Sequence, residues 1–297
     1  MHTRLTVVTV THNGGLVIGG LLDSLPAQIP LVVVDNASTD NTLDIIASKR
    51  PNATVLRNEI GQGYGRGASR GLNAVETEFA LLANPDSVLS EDAIKALLAA
   101  ADTYPDAAMF GPVHKTGDGR IEPSHDVELW RRHLFGKRDG EVSPDGDICV
   151  EFVSGAVNLV RMDVMRKVGF YDPEVFLYFE DDDMCMRIRR AGYSVVVVAQ
   201  SVVVHLNSGS VRPNASYYWE KFWHIAWSRI HIERKYRGQA AAMRLAAVDT
   251  LRYGVKAVAN AIVFRGFQAR RDAARCAGTW AALWGVRAIP PEAEGHL

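Results

Sequence analysis

The sequence predicts an α/β fold in which a mostly parallel central sheet is flanked by helices and followed by a C-terminal helical extension. Three observations carry this. Apolar, β-branched runs of strand length alternate with helix-length segments over the first hundred residues, the pattern of βαβ units. Polar clusters follow directly on the ends of those runs, where open parallel sheets bind ligands. From Tyr217 to about Arg287 the chain turns helical, aromatic and basic.

Taken in order, residues 5–10 read as a buried strand and residues 14–25 as a loop and first helix. Residues 31–34 form a second strand that stops at Asp35-Asn36-Ala37-Ser38. Ser38 or Thr39 can cap the next helix, about residues 41–49, and Pro51 ends it. Residues 54–57 are a short strand. A glycine-rich turn, Gly61 to Gly67, leads to a helix over 68–75 and a strand over 79–83. An amphipathic helix over 91–103 and a strand over 107–111 follow. Residues 115–149 are rich in Gly, Pro and Asp and read as a long irregular segment, often a substrate loop in an enzyme. Order returns at residues 151–160, with helices over 162–168 and 182–191 and a β-rich stretch over 194–204.

The composition excludes whole classes. A chain of 297 residues with 47% apolar content can bury roughly 70–75% of its unfolded surface and needs no disulfide staples. The formal net charge of −1 excludes a uniformly basic nucleic-acid binder and a highly charged disordered chain. Cys149, Cys185 and Cys276 are far apart and odd in number, which argues for a reducing compartment. No secretory leader and no apolar run of the ~18–20 residues that span a bilayer is read, so the expected location is cytoplasmic. The charge is uneven. Residues 1–228 hold 21 Lys/Arg against 29 Asp/Glu, and residues 229–297 hold 12 against 5. An acidic body with a basic tail points to a membrane or polyanion contact.

Each candidate chemical group has a structural alternative. Asp35 can accept a hydrogen bond from the ring N–H of uracil or thymine, or cap a helix. In Asn84-Pro85-Asp86 the proline fixes a sharp turn, and Asp86 can hold Mg²⁺ or Mn²⁺ with two diphosphate oxygens, or be a plain turn residue. Glu180-Asp181-Asp182-Asp183 follows aromatic residues. Acids favour a helix N-terminus, yet four adjacent carboxylates exceed what one cap requires, and one can serve as a general base. His205 at a strand end can ligate a metal or touch phosphate, or be structural, and Ser208-Gly209-Ser210 can form a phosphate turn. The glycine-rich turn fits neither the P-loop nor the dinucleotide fingerprint. Arg66 and Arg70 beside it can meet phosphate or be solvated.

Order and spacing together are more specific than any single piece. The sequence resembles the family 2 glycosyltransferases of GT-A fold from about Leu5 to about Tyr236, most closely the bacterial rhamnosyltransferase type. The resemblance rests on Val32–Thr42, Gly63–Gly67, Leu82–Asp86, Ser154-Gly155-Ala156, Gly169–Asp172, Phe179–Asp183, Arg187 and His205. It implies a catalytic domain over 1–228, with a nucleotide-binding half over 1–110 and an acceptor-binding half over 111–228, before the basic region 229–297. It implies that Asp35 and Asn36 contact the nucleotide, with Thr9, Thr11 and Arg66 nearby. Asp86 and His205 would hold a divalent metal, Mg²⁺ or Mn²⁺. Asp181, paired with Glu180, would be the catalytic base, with Asp182 and Asp183 competing for that role. Ser154, Gly155 and Asp183 would line the sugar or acceptor site.

The chemistry implied is inverting transfer of a sugar, rhamnose for example, from a dTDP- or UDP-sugar donor to a hydroxyl. The acceptor would be a glycan or polyprenyl-diphosphate-linked molecule in cell-surface polysaccharide synthesis. Two departures stand out: Asn84-Pro85-Asp86 carries one acid where relatives usually have two, and Ala68-Ser69 replaces two frequent Asn. The alternative is a non-catalytic nucleotide-sugar or glycan-binding protein on the same fold, which has no need of the acidic cluster. A nucleotidyltransferase ranks lower because His12-Asn13-Gly14-Gly15 offers no Lys or Arg to a triphosphate. The basic tail, with Leu251, Phe264, Trp280 and Trp284 among its cations, suits either peripheral contact with anionic membrane at the inner face of the plasma membrane or a packed helical subdomain.

Overall fold

A computed structural model of the chain describes residues 4–129, 143–206, 215–290 and 293. The first half alternates as predicted: β1 (Leu5–Thr11), α1 (Ile18–Ser24), β2 (Leu31–Asn36), α2 (Thr42–Lys49), β3 (Thr54–Asn58), α3 (Tyr64–Asn73), β4 (Phe79–Ala83), β5 (Ser87–Val88), α4 (Glu91–Thr103) and β6 (Ala107–Lys115). Short strands β7 (Ile121–Glu122), β8 (His125–Asp126) and β9 (Ile148–Val150) fall in or at the end of the stretch read as irregular, and β10 (Phe152–Val153) opens the stretch read as ordered. Then come β11 (Val157–Arg161), α5 (Met162–Val168), α6 (Glu180–Arg190), β12 (Ser194–His205), α7 (Ala215–Arg237), α8 (Gln239–Ile262) and α9 (Gly266–Leu283).

The main sheet runs β3-β2-β1-β4-β11-β6-β12-β5, with β7 on β6 and β9 on β12. Strands β3, β2, β1, β4, β6 and β12 point one way, while β11 and β5 run against them. All seven residues of β1 are buried, as its continuous Val/Leu/Thr run requires of a central strand covered on both faces. The core includes Leu5, Val7, Phe79, Leu81, Ile94, Leu97, Phe110 and Leu159. Helix α4 begins where Ser90 accepts the Ala93 N–H at 3.1 Å, with Glu91 and Asp92 in its first turn.

Three expectations change. The glycine-rich turn is shorter than read, because α3 begins at Tyr64. Its Gly67 and Gly71 let the helix lie against β1: a Cβ there would sit 2.9 Å from Val10 Cγ1 and 2.5 Å from Val8 Cγ1. Neither Ser38 nor Thr39 caps α2. Its N-cap is Asn41, without a side-chain cap bond, and Asp40 just before it accepts the Thr42 N–H at 3.1 Å. A division after Ser228 falls inside α7, which is one continuous helix.

The chain divides into two compact units. One, spanning Met1–Gly61, Gly67–Tyr171 and Asp181–Ser210, contains the sheet. The other, spanning Gln62–Arg66, Asp172–Glu180 and Val211–Leu297, is built on α7, α8 and α9. Its core gathers Trp227, Ile230, Ala242, Ala246, Ala282 and Ala288. Gly278 permits close approach of α9 to α7, since a Cβ there would lie 2.2 Å from the Trp223 carbonyl oxygen.

Candidate active site

The ends of β1 and β2 bring the first group together. Thr11 and Asp35 are paired across the two strands. Thr9 and Thr11 share one face of β1, and both hydroxyls are buried with no hydrogen-bond partner among the described residues. Asp35 is fully buried. Its carboxylate accepts the Ser38 N–H at 3.3 Å, and Arg57 Nε lies 3.7 Å away. That bond closes the turn after β2 and does not cap α2, which begins at Thr42. Asn36 Oδ1 accepts from Asn58 Nδ2 at 2.9 Å, and the Asn36 carbonyl accepts from His12 Nδ1 at 2.7 Å. The loops after β1 and β2 are laced to each other: Asn13 N–H donates to Ser38 Oγ at 2.8 Å, and Gly15 N–H to Asp40 Oδ2 at 3.0 Å. Burial pushes the Asp40 carboxyl up, but the bonds from Thr42 and Gly15 outweigh it and hold the group below the usual range.

The second group surrounds His205. Beyond β4, Asn84 N–H donates to the Ala156 carbonyl at 2.8 Å, and Leu206 N–H donates to the Asp86 carbonyl at 3.0 Å. These bonds seat Asp86 beside the end of β12, with His205 Nε2 3.4 Å from Asp86 Oδ1. The other ring nitrogen, Nδ1, lies 3.3 Å from Glu122 Oε2. Strand pairing supplies a further histidine, since His114 is opposite Glu122 in β6–β7 and beside Val203 in β6–β12. Ligand atoms of His114, Glu122 and His205 all lie within 4.8 Å of one another. Burial, then the nearby His205 and His125, pushes the His114 imidazole down to about 3, so it stays neutral and able to coordinate. Burial lowers His205 too, but the bonds and charges of Asp86 and Glu122 prevail and raise it. Sequence reading found Asp86 and His205 and missed Glu122 and His114. A histidine closing the apolar run of β6 was the one signal, and nothing in the sequence marked Glu122.

The third group forms at the start of α6. The chain enters this helix through Tyr178 and Phe179, both left-handed with φ of 68° and 67°, a conformation bulky residues rarely adopt. The partly exposed Asp181 accepts the Gly155 N–H at 2.9 Å on Oδ2. The contact is so close that a Cβ on Gly155 would lie 2.1 Å from Asp181 Oδ1. Ser154 is fixed in turn: its N–H donates to the Ser124 carbonyl at 2.7 Å, and its carbonyl accepts from Asn158 Nδ2 at 2.9 Å. Glu180 and Asp182 are buried.

Two predicted site residues are spent elsewhere. Asp183 is fully buried and paired with Arg187 at 2.8 Å, and Arg187 also donates to the Val168, Gly169 and Phe170 carbonyls. Asp183 therefore does not line an acceptor site. Arg66 donates to the Pro173 carbonyl at 2.9 Å and the Ala293 carbonyl at 3.0 Å, so its guanidinium ties backbone together instead of meeting phosphate. Ser208-Gly209-Ser210 lies outside the described residues.

The sheet unit thus gathers three resources. Buried hydroxyls and Asp35 stand at one place, a nitrogen- and carboxylate-rich cluster suited to a divalent cation at another, and a positioned carboxylate at the third.

Comparison with known proteins gives a consistent result. The profile of glycosyl transferase family 2 matches residues 6–166. The N-acetylglucosaminyl-diphospho-decaprenol L-rhamnosyltransferase of Mycobacterium tuberculosis is 30% identical over 232 residues, 68% of this chain and 75% of that one. The O-antigen chain rhamnosyltransferase RfbN of Salmonella typhimurium is 24% identical over 227 residues, 73% of this chain and 71% of that one. The solved structure of the mannosyltransferase PcManGT from Pyrobaculum calidifontis, in complex with GDP-Man and Mn²⁺, superposes with a TM-score of 0.58 at 16% identity. It covers 96% of this chain and 88% of that one.

Proposed function

The chain belongs to glycosyl transferase family 2, and from that premise we propose that it transfers a sugar with inversion from a dTDP- or UDP-sugar, dTDP-rhamnose first among them, to a hydroxyl of a polyprenyl-diphosphate-linked glycan. The rhamnosyltransferase likeness supports the donor sugar, and the name of the Mycobacterium relative supports the acceptor. The setting is cell-surface polysaccharide synthesis at the inner face of the plasma membrane. Among the described residues, no helix is long and apolar enough to cross a membrane.

The single observation that carries the catalytic reading is the seating of Asp181 on the Gly155 N–H. In this reading Asp181 takes the proton from the acceptor hydroxyl. The oxygen attacks the anomeric carbon from the side opposite the nucleoside diphosphate. The bond from that carbon to the diphosphate oxygen breaks, and the electron pair leaves with the diphosphate. One displacement inverts the configuration and needs no covalent enzyme intermediate. Asp35 and the Thr9 and Thr11 hydroxyls serve the nucleotide. Asp86 and His205 would hold a divalent cation with Glu122 behind the imidazole, and a donor set containing imidazole favours Mn²⁺ over Mg²⁺. Such a cation, when bound, stabilises the negative charge that develops on the leaving diphosphate.

The test is release of nucleoside diphosphate from a panel of dTDP-, UDP- and GDP-sugars, with Mn²⁺ and a polyprenyl-diphosphate N-acetylglucosamine acceptor. Turnover with dTDP-rhamnose, lowered about 10²–10⁴-fold in Asp181→Asn, is the expected result. Donor binding without turnover under every condition would leave a binding protein on a transferase fold and defeat the proposal.

A further inference from the structure

Helix α8 buries Ala242, Ala246 and Asp249 on one side. On the opposite side Val248, Leu251, Val255, Val258 and Ile262 recur at spacings of three and four and are all exposed, Leu251 at 71% and Ile262 at 70%. The stripe runs on to Phe264, which is 96% exposed. An ordinary surface helix turns polar residues outward, so an apolar stripe on its solvent side calls for a partner.

The surrounding charge identifies that partner. Between Gly238 and Pro290 the acidic residues are Asp249 and Asp272. Both are buried and bonded to arginine: Asp249 to Arg229 at 2.7 Å, and Asp272 to Arg271 at 2.9 Å and Arg275 at 3.3 Å. Arg244, Arg252, Lys256, Arg265 and Arg270 are exposed. The outward charge of α8 and α9 is therefore positive. A second copy docked symmetrically on the stripe would set these cations against themselves. Anionic lipid headgroups complement them, and acyl chains take up the apolar stripe. A groove of about 350 Å³, lined by Tyr218, Trp219 and Phe267 with Arg270 and Arg271, adds the aromatic and arginine pairing that suits headgroup depth.

We propose that the outward face of α8, continued by Phe264 and the start of α9, is a peripheral docking surface for anionic membrane. It deepens the assignment to a lipid-linked acceptor by naming the surface, and its test does not depend on turnover. Flotation of the full-length protein with vesicles of phosphatidylcholine, with and without 30% phosphatidylglycerol, reads it directly. The wild type is expected to float with anionic vesicles and to be released by salt. Each cation near the surface contributes about fivefold in partitioning, so Arg252→Gln/Lys256→Gln should lose about thirtyfold. Leu251→Asp/Val255→Asp should abolish flotation, with melting temperature and circular dichroism confirming that both variants are folded. Equal partitioning onto neutral and anionic vesicles would overturn the proposal. So would a wild-type dimer that Leu251→Asp/Val255→Asp converts to monomer, since a second copy would then cover the stripe. A sugar transferase that fails to float refutes the docking surface alone. A protein that floats but transfers nothing refutes the transferase reading alone.

Discussion

Replacing Gly155 by alanine isolates the positioning of Asp181. The backbone of Gly155 is outside the left-handed region, so alanine carries no conformational penalty there. The added Cβ would meet Asp181 Oδ1 at 2.1 Å and its Cγ and Oδ2 at 2.5 Å. Ordinary carbon–oxygen contact is about 3.3 Å, so the carboxylate must retreat by about 1 Å, and the 2.9 Å bond to the Gly155 N–H breaks. A carboxylate at the end of a side chain can make that move cheaply, which spares the fold. The chemistry is not spared, because about 1 Å of misplacement costs about a hundredfold and a general base contributes about 10²–10⁴. Gly155→Ala should lower kcat about a hundredfold, about 2.7 kcal/mol of transition-state stabilisation. Donor KM should change little, and Tm by no more than a few degrees. Asp181→Asn should cost about 10²–10⁴ in kcat. The double variant should be no worse than Asp181→Asn, because both act through one group. Steady-state release of nucleoside diphosphate measures all three. A Gly155→Ala enzyme within threefold of wild type, or full additivity in the double variant, would refute the reasoning.

Two further outcomes follow from the same structure. Glu122→Gln removes the carboxylate facing His205 Nδ1 and should weaken Mn²⁺ binding about 10–100-fold by calorimetry, and unchanged affinity would show that Glu122 does not serve the cation site. His224 stacks on Phe176 at 4.8 Å and burial pushes its imidazole down to about 4, so the folded state resists a proton that the unfolded chain takes up near 6.5. Its contribution is complete above pH 6.5 and is lost as pH falls towards 4, about 1.5 kcal/mol between pH 6.5 and 5. Urea unfolding of His224→Gln should show that much less pH dependence than wild type over the interval, and identical slopes would remove His224 as the cause.

Much of this fold is legible because burial on both faces of a central sheet demands unbroken apolar runs. β1, β2 and β4 announce themselves by that rule, and the 91–103 helix by its amphipathic pattern. Where structure depends on partners distant in sequence, the signal vanishes. The two-residue strands β7 and β8 exist through their pairing, so their composition reads as loop. The glycines of Gly61–Gly67 looked like a turn because conformational freedom and close packing call for the same residue. Gly63 is left-handed at φ +77°, whereas Gly67 serves contact with Val10. Within Asp181-Asp182-Asp183 the sequence separates one acid from the others: Asp183 and Arg187 are four apart, the spacing of a helical ion pair. That pair takes Asp183 out of the site. Nothing local could show that Gly155, 26 residues away, would seat Asp181.

The single acid of Asn84-Pro85-Asp86 can now be weighed in space. In sequence it is a deficit, half of the usual pair, and it argues against a cation. Around Asp86, however, the ladder β7–β6–β12 sets Glu122 opposite His114 and both near His205. Glu122 restores the missing carboxylate charge to the cluster. Its bond to His205 Nδ1 also turns Nε2 toward Asp86, a task a second acid within the turn would not perform. The cost is dependence on β7, a strand of two residues, so the Glu122 side of the cluster is only as firm as its pairing with β6. Loosening that pairing should therefore weaken the cation site through Glu122, and, because the Ser124 carbonyl just past β7 holds the Ser154 N–H, it should also loosen the seat of Asp181 on Gly155.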